Sequence, residues 1–314
     1  MRIAVIGAGG TGGYYGGLLA RAGHEVTFVA RGAHLDAIRA RGLAVNSRLA
    51  GNFTVRAAAT GDIRSIGPVD LVLVCVKTYS MDAVLPQLPS LVGPKTMIVS
   101  MQNGIDNEDR IAAATGPGPV LGMVAQVSSF VQAPGVVGQV GGPGRLVFGE
   151  MAGGESARTA ALLKTFRDAG IVADVRPDIR LALWEKFIFI CGVSGVTALT
   201  RLPMGLIFAD RETAALMRAT LEEAAAVARA EGVAVAPGFA EQAVGFMSKM
   251  EPWFQGSMAQ DLHEGRRLEL ETLNGTVVRL GRAREVAVPV NRTIYAALRP
   301  FADGAPETPA PPAG

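Results

Sequence analysis

The chain has only two cysteines and three histidines in 314 residues, and neither type is spaced for metal chemistry. Cys75 and Cys191 both sit in apolar runs, so they read as buried free thiols rather than as a disulfide. No Cys-x-x-Cys or Cys/His ligand spacing occurs, and His24, His34 and His263 form no ligand cluster along the sequence, so no metal is expected. An excess of either charge is also missing. Thirty basic residues face 28 acidic ones, for a formal net charge of +2. That balance argues against a broad nucleic-acid or membrane-binding surface. The opening segment, MRIAVIGAGG, lacks the apolar core and cleavage site of a secretory signal. The longest apolar stretch, Leu181 to Leu199, carries Glu185 and Lys186, which argues against a membrane span. Disorder is excluded by a hydrophobic content of 49%, enough for a buried core. A soluble cytoplasmic protein is the expectation.

Glycine, in contrast, is abundant: 39 residues, or about 12% against an average of roughly 7%. No collagen-like period runs through them, so they serve turns and close backbone approaches. The first cluster is informative by position. Ile3 to Ile6 is an all-apolar run suited to a strand buried on both faces. Gly7-Ala8-Gly9-Gly10-Thr11-Gly12 follows at once, then a predicted helix from Tyr14 to Ala22 and a second apolar run, Val26 to Val29. This is a βαβ unit with a G-x-G-x-x-G turn at its first strand–helix junction. Gly7 allows the tight turn, Gly9 admits a pyrophosphate to the backbone, and Gly12 lets the helix pack on the strand. Gly10 and Thr11 complete the turn, and the helix N-terminus offers free N–H groups to the anion. An Asp or Glu at the end of the second strand would hold the 2′-hydroxyl of NAD. Here that strand ends Phe28-Val29-Ala30-Arg31. A guanidinium there suits a 2′-phosphate and favours NADP(H), although Arg31 also reads as a solvated surface cation.

The pattern of strand and helix continues. Helices are expected over His34–Arg41, over Met81–Leu91 with an interruption at Pro86, and over Ser156–Ala169. Strands are expected over Leu71–Val76, Thr96–Ser100, Val120–Val127, Gly135–Gln139, Arg145–Phe148 and Ile171–Val175. This predicts an α/β, Rossmann-type doubly wound domain over 1–177. Beyond Pro177 the texture is helical, with helices expected over Ile179–Leu199, Arg211–Glu231, Pro237–Lys249, Glu269–Gly281 and Arg292–Arg299. An all-α substrate and catalytic domain is therefore expected over 178–301. The Pro/Ala/Gly-rich stretch 302–314 is expected to be a disordered tail.

Lysine is scarce. Only 5 of the 30 basic residues are Lys and 25 are Arg, which singles out Lys77, after the strand Leu71–Val76, and Lys186. Lys186 lies in Trp184-Glu185-Lys186-Phe187-Ile188-Phe189, where an ammonium is costly to bury unpaired. A lysine so placed can donate a proton, because its pKa responds to burial. On its residues alone it also reads as a snorkelling side chain at a helix edge.

Together these motifs resemble the ketopantoate reductase (2-dehydropantoate 2-reductase) family. The resemblance runs from Met1 to about Pro300. It is carried by the turn Gly7–Gly12, Arg31, Val76-Lys77-Thr78, Gln102-Asn103-Gly104, Trp184-Glu185-Lys186-Phe187, Ser257-Met258-Ala259-Gln260-Asp261-Leu262, Glu269 and Leu273-Asn274-Gly275. It implies NADPH-dependent reduction of a 2-oxo acid. On that likeness Lys186 is the general acid and Glu269 orients the substrate and assists Lys186. Ser257 contacts the substrate carboxylate, Asn103 lies near nicotinamide and substrate, and Lys77 contacts the cofactor. Taken singly, Glu269 also reads as a first-turn carboxylate, Ser257 as an N-cap and Asn103-Gly104 as an ordinary turn. The chain departs from the family pattern at Ile190 and Ser194, which share a helix face with Lys186 and match positions where asparagines are typical. The first expectation is that ketopantoate is still the substrate, with Ser194 and water in place of the amides. The second is a reductase for another branched or aromatic 2-oxo acid. A non-catalytic NADP-binding redox sensor would need neither Lys186 nor Glu269. The expected partner is a small-molecule 2-oxo acid, with no nucleic acid or membrane, and a homodimer is left open.

Overall fold

The protein, represented by a computed structural model, is described over residues 1–306. It forms two compact units, Met1–Leu183 and the remainder from Trp184. In the first unit the run Arg2–Ile6 forms β1, which is buried from Ile3 onward because it lies inside a sheet covered on both faces. The chain then forms α1 (Gly10–Arg21), β2 (Glu25–Val29), α2 (Gly32–Arg41), β3 (Leu43–Ser47), β4 (Phe53–Val55) and β5 (Ala58–Thr60). Next come β6 (Leu71–Val74), α3 (Met81–Val84), β7 (Met97–Ser100), α4 (Asn107–Thr115), β8 (Val120–Ala133), β9 (Val136–Glu150), α5 (Ala157–Asp168) and β10 (Val172–Val175).

These strands make one sheet in the order β4-β3-β9-β8-β7-β6-β1-β2-β5, with β10 beside β9. The stretch β8-β7-β6-β1-β2-β5 is parallel throughout. From β1 the chain adds β2 on one side, crosses to form β3 and β4 at the far end of the sheet, adds β5 beyond β2, and then places β6 on the other side of β1, so the order reverses between β1 and β6. That is the doubly wound Rossmann topology, and in sheets of this kind ligands bind at the switch point.

Beyond this frame, β8 and β9 form a long antiparallel hairpin whose register shifts between Gln126 and Ser129. Such irregularities bend a strand. The far half of β9 pairs with β3, and the hairpin passes along α1. Helix α1 packs closely on several strands of this sheet: a Cβ at Gly16 would come 2.6 Å from the Phe28 ring of β2, and one at Gly13 would come 2.6 Å from Val137 of β9.

The structure corrects several expected elements. The strands expected at Gly135–Gln139 and Arg145–Phe148 are parts of the single β9. The short strands β3, β4 and β5 were not expected. Met81–Leu91 is α-helical only to Val84 and continues as a 3-10 helix, Leu85–Leu91, which contains Pro86 and Pro89. Each proline removes a donor from the helical ladder.

The second unit is helical, with α6 (Ile179–Thr200), α7 (Met204–Ala209), α8 (Arg211–Ala230), α9 (Phe239–Met247), α10 (Ser257–His263), α11 (Asn274–Ala283) and α12 (Pro289–Leu298). Among the described residues from Trp184 there is no strand. The division between the units falls inside α6, whose Ile179, Ala182 and Leu183 pack on Val124 and Val147 of the sheet. Helix α6 is long and apolar enough to cross a membrane, but 72% of its most apolar window is buried within the protein, as in a core helix.

The helix expected from Glu269 begins only at Asn274, because residues 269–273 form a turn in which the Leu273 N–H donates to the Glu269 carbonyl. Helices α7 and α10 were not expected. A buried polar chain joins α6, α8, α11 and α12. The Glu223 carboxylate accepts from the backbone N–H groups of Val290 and Asn291 and from Asn291 Nδ2. Asn291 Oδ1 accepts from Asn274 Nδ2, which also donates to the Cys191 carbonyl. Ala302, the first residue of the expected tail, is buried and its carbonyl accepts from the Leu268 N–H. The rest of that expected tail from 307 lies outside the described residues.

Candidate active site

The Gly-rich turn leaves β1 at Gly7, whose φ of +103° and close approach to Val76 both exclude a larger residue. The N–H groups of Gly7 and Ala8 donate to the Val29 carbonyl at the end of β2. A Cβ at Gly12 would lie 2.1 Å from the Gly7 carbonyl, and one at Gly10 would lie 2.3 Å from the carbonyl of Ser129, where the hairpin crosses. Gly9 is different: a Cβ there would meet nothing within 4 Å. The turn is therefore closed at Gly7, Gly10 and Gly12 and open at Gly9, beside the first turn of α1. A free concave backbone at a helix N-terminus fits the diphosphate of a dinucleotide. Thr11 is half-buried in that first turn.

Three further candidates follow neighbouring parallel strands. Arg31 follows β2, is exposed and is the N-cap residue of α2. Lys77 follows β6, is half-buried and starts a 3-10 turn at Thr78. Asn103 follows β7 and is half-buried, and its carbonyl accepts from Asn107 Nδ2. Strands β2, β1, β6 and β7 are adjacent, so Arg31, the Gly-rich turn, Lys77 and Asn103 all follow the C-terminal ends of one run of parallel strands. Gln102 ties this edge together. Its Nε2 donates to the Val76 carbonyl at 2.6 Å, and its Oε1 accepts from the Ser100 hydroxyl at 3.0 Å. Beside the turn, burial pushes the thiol pKa of Cys75 up, which disfavours its thiolate.

In the helical unit, Lys186 is half-buried on α6 among buried Trp184, Phe187 and Ile188. Ile190 is half-buried one turn later, and Ser194, two turns later, is only 2% exposed. The burial of Ser194 has a specific cause. A Cβ at Gly256 would lie 2.8 Å from Ser194 Cα and 3.1 Å from its hydroxyl. The Gly256 N–H also donates to Thr197 Oγ1 on the same helix. Gly256 is the N-cap residue of α10, so this contact fixes the start of the helix that Ser257 opens, and Ser257 itself is exposed. Glu269 is 7% exposed in the turn before α11. That turn is anchored five residues on, where buried Asn274 donates to the Cys191 carbonyl of α6. The same helix, α6, therefore carries Lys186 and holds both the start of α10 and the turn of Glu269.

Sequence reasoning missed His34, whose two ring nitrogens meet backbone groups 26 and 101 residues away. It also missed the crossing of Ser129 over Gly10, because nothing local marks either contact.

Comparison with known proteins bears on both units. The profile "Ketopantoate reductase PanE/ApbA" matches residues 3–153, and "Ketopantoate reductase PanE/ApbA C terminal" matches residues 178–302. A 2-dehydropantoate 2-reductase of Mesorhizobium japonicum is 34% identical over 324 residues, covering 96% of this chain and 98% of that protein. The crystal structure of a PanE/ApbA family ketopantoate reductase from Ralstonia eutropha superposes with a TM-score of 0.88 at 35% identity, covering 96% of this chain and 98% of the other. A D-mandelate dehydrogenase, solved with NADH and anilino(oxo)acetate, shares the fold at a TM-score of 0.87 and 20% identity, covering 96% and 98% of the two chains.

Proposed function

The chain belongs to the ketopantoate reductase family of oxidoreductases, and on that premise we propose that it reduces 2-dehydropantoate to pantoate with NADPH. The observation that carries the dinucleotide half of this reading is the turn open at Gly9 at the switch point of the sheet, with Arg31 after the next strand. A carboxylate after β2 would favour NAD, and a guanidinium favours the 2′-phosphate of NADP. When bound, the reduced nicotinamide supplies the hydride that goes to the C2 ketone carbon.

The remaining work falls to the chain's own groups. Backbone N–H groups at the start of α1 hold the diphosphate, Lys77 contacts the cofactor, and Asn103 lies near nicotinamide and substrate. Hydride transfer leaves negative charge on the ketone oxygen. The Lys186 ammonium stabilises that charge and gives up its proton to it, which completes the alcohol. Glu269 orients the substrate and assists Lys186, and Ser257 contacts the substrate carboxylate. This reading places the protein in pantothenate biosynthesis in the cytoplasm, with a small 2-oxo acid as its partner.

A second reading, reduction of another branched or aromatic 2-oxo acid, is favoured by the face of α6. Ile190 offers no hydrogen bond, and the Ser194 hydroxyl is sealed against Gly256. Oxidation of NADPH, with NADH alongside, is measured against ketopantoate and a panel of branched and aromatic 2-oxo acids. The first reading expects ketopantoate with NADPH to give the highest kcat/KM. Ketopantoate as the poorest substrate would establish the second, and no turnover with any 2-oxo acid would overturn both.

A further inference from the structure

Both ring nitrogens of His34 are engaged by backbone. Nε2 lies 2.8 Å from the Ala8 carbonyl, and Nδ1 lies 3.0 Å from the Gly135 nitrogen. A backbone N–H can only donate, so Nδ1 accepts from Gly135. The ring proton is then on Nε2, and it is donated to the Ala8 carbonyl. One neutral tautomer satisfies both contacts.

The partners belong to three separate pieces of the unit. His34 is in the first turn of α2, three residues after Arg31, whose carbonyl accepts from the Leu35 N–H. Ala8 is in the Gly-rich turn. Its N–H is already committed to Val29, so the imidazole fixes its remaining polar group. Gly135 is the tip of the β8–β9 hairpin, with φ +78°. That tip is itself seated on α2 and β3. The Gly135 carbonyl accepts from the Ala44 N–H, and the Pro134 carbonyl accepts from Arg41 Nη2. A Cβ at Gly135 would lie 2.9 Å from that of Ala37. The hairpin therefore crosses the start of α1 at Gly10 and lands on α2, with His34 between its tip and the turn beneath it.

We infer that His34 is a positioning residue of the dinucleotide site. Its imidazole sets the spacing between the turn that takes the diphosphate and the head of α2, where Arg31 takes the 2′-phosphate. This rests on the NADP-binding reading above. Arg31 is exposed at the end of a strand, and the Gly-rich turn is a separate segment. A ligand that bridges them gains from their being held at one distance before it binds.

The test is binding and kinetics with wild type, His34→Ala and His34→Gln. Loss of two hydrogen bonds to backbone is expected to raise the NADPH Kd and KM roughly tenfold in His34→Ala, with kcat within about twofold of wild type. Glutamine carries a donor and an acceptor on one amide, so His34→Gln is expected to recover most of the affinity. An NADPH Kd in folded His34→Ala within twofold of wild type would overturn the inference, as would a fall in kcat matching the rise in KM. Independently of any variant, nitrogen NMR of the wild-type imidazole is expected to show the neutral Nε2–H form, and an Nδ1–H tautomer would overturn it too. Wild type that binds neither NADPH nor NADH would instead sink the dinucleotide reading itself.

Discussion

Truncating Asn291 to alanine should be among the most damaging single changes in the helical unit. Asn291 and Asn274 are both fully buried. The Asn291 side chain donates to the Thr220 carbonyl at 3.1 Å and to Glu223 Oε2 at 2.8 Å, and it accepts from Asn274 Nδ2 at 2.9 Å. Asn291→Ala removes all three bonds. Glu223 keeps two backbone donors, the N–H groups of Val290 and Asn291, so its charge is not stranded. Asn274 fares worse. Its Oδ1 has no partner among the described residues, and its Nδ2 would keep only the 3.3 Å bond to the Cys191 carbonyl. At about 1 kcal/mol per bond, more for the one to a carboxylate, and with a small cavity added, the loss is about 3–5 kcal/mol. For a chain of this size that corresponds to a fall in Tm of roughly 6–20 °C. Circular-dichroism melts of Asn291→Ala, Asn274→Ala and the double variant measure it. Because the two amides share a bond, the double variant should lose less than the sum of the single losses. A shift under about 1 °C for Asn291→Ala, or strict additivity, would show that the chain of bonds does not act as a unit.

The remaining predictions concern chemistry and pH. Arg31→Ala should raise the KM for NADPH far more than that for NADH, and equal weakening of both would remove Arg31 from the 2′-phosphate. Lys186→Ala should lower kcat by roughly 10²–10⁴, and turnover near wild type would assign the proton to another group. Glu150 is held below its ordinary pKa of 4.5, first by hydrogen bonds from Arg158 and then by one from the Ser156 hydroxyl, against the opposing effect of burial. A lowered native pKa means the folded state favours the charged form. The stabilisation is therefore complete above the ordinary carboxylate value and fades as pH falls through the lowered one. Glu150→Gln should thus be less stable than wild type in urea melts at neutral pH, with the gap closing in acid. A gap that stays constant from neutral pH into strong acid would refute the pairing as its source.

What the sequence disclosed was whatever is encoded locally. The apolar run before Gly7, the glycine spacing and the absence of a carboxylate after Val29 each span a few residues, and each maps onto β1, the turn and the end of β2. The missed elements are those whose stability is tertiary. Strands β4 and β5 have three residues each and no clear alternation, and they exist because β3 and β2 lie beside them. The Gly-rich β9 reads as two strands because Gly141 to Gly144 interrupts its pattern, yet β8 pairs along most of its length. The apolar spacing of Leu270 and Leu273 imitates a helix, but the chain turns there to bring Asn274 onto α6. Ser194 illustrates the same limit at the site. Its spacing of eight from Lys186 places it correctly on one face, while its burial depends on Gly256, which lies 62 positions further along the chain.

The composition of α1 shows why the turn before it can be rigid. Gly12, Gly13, Gly16 and Gly17 lie within the helix, and each costs about 0.5–1 kcal/mol relative to alanine. As an isolated helix this segment would not hold. Folded, it buries Tyr14, Tyr15, Leu18 and Leu19, and full burial of such side chains is worth about 1.5–3 kcal/mol apiece. Packing therefore wins over propensity, but only because the small residues admit β1 and β2 at Gly12 and Gly16 and β9 and β3 at Gly13 and Gly17. The helix exists where strands clamp it. Its first turn, with the open backbone at Gly9, is consequently fixed by the strands packed against it before any anion arrives. Widening the clamp at Gly13, whose N–H is already committed to the Gly9 carbonyl, would loosen the turn without touching a group that meets the ligand.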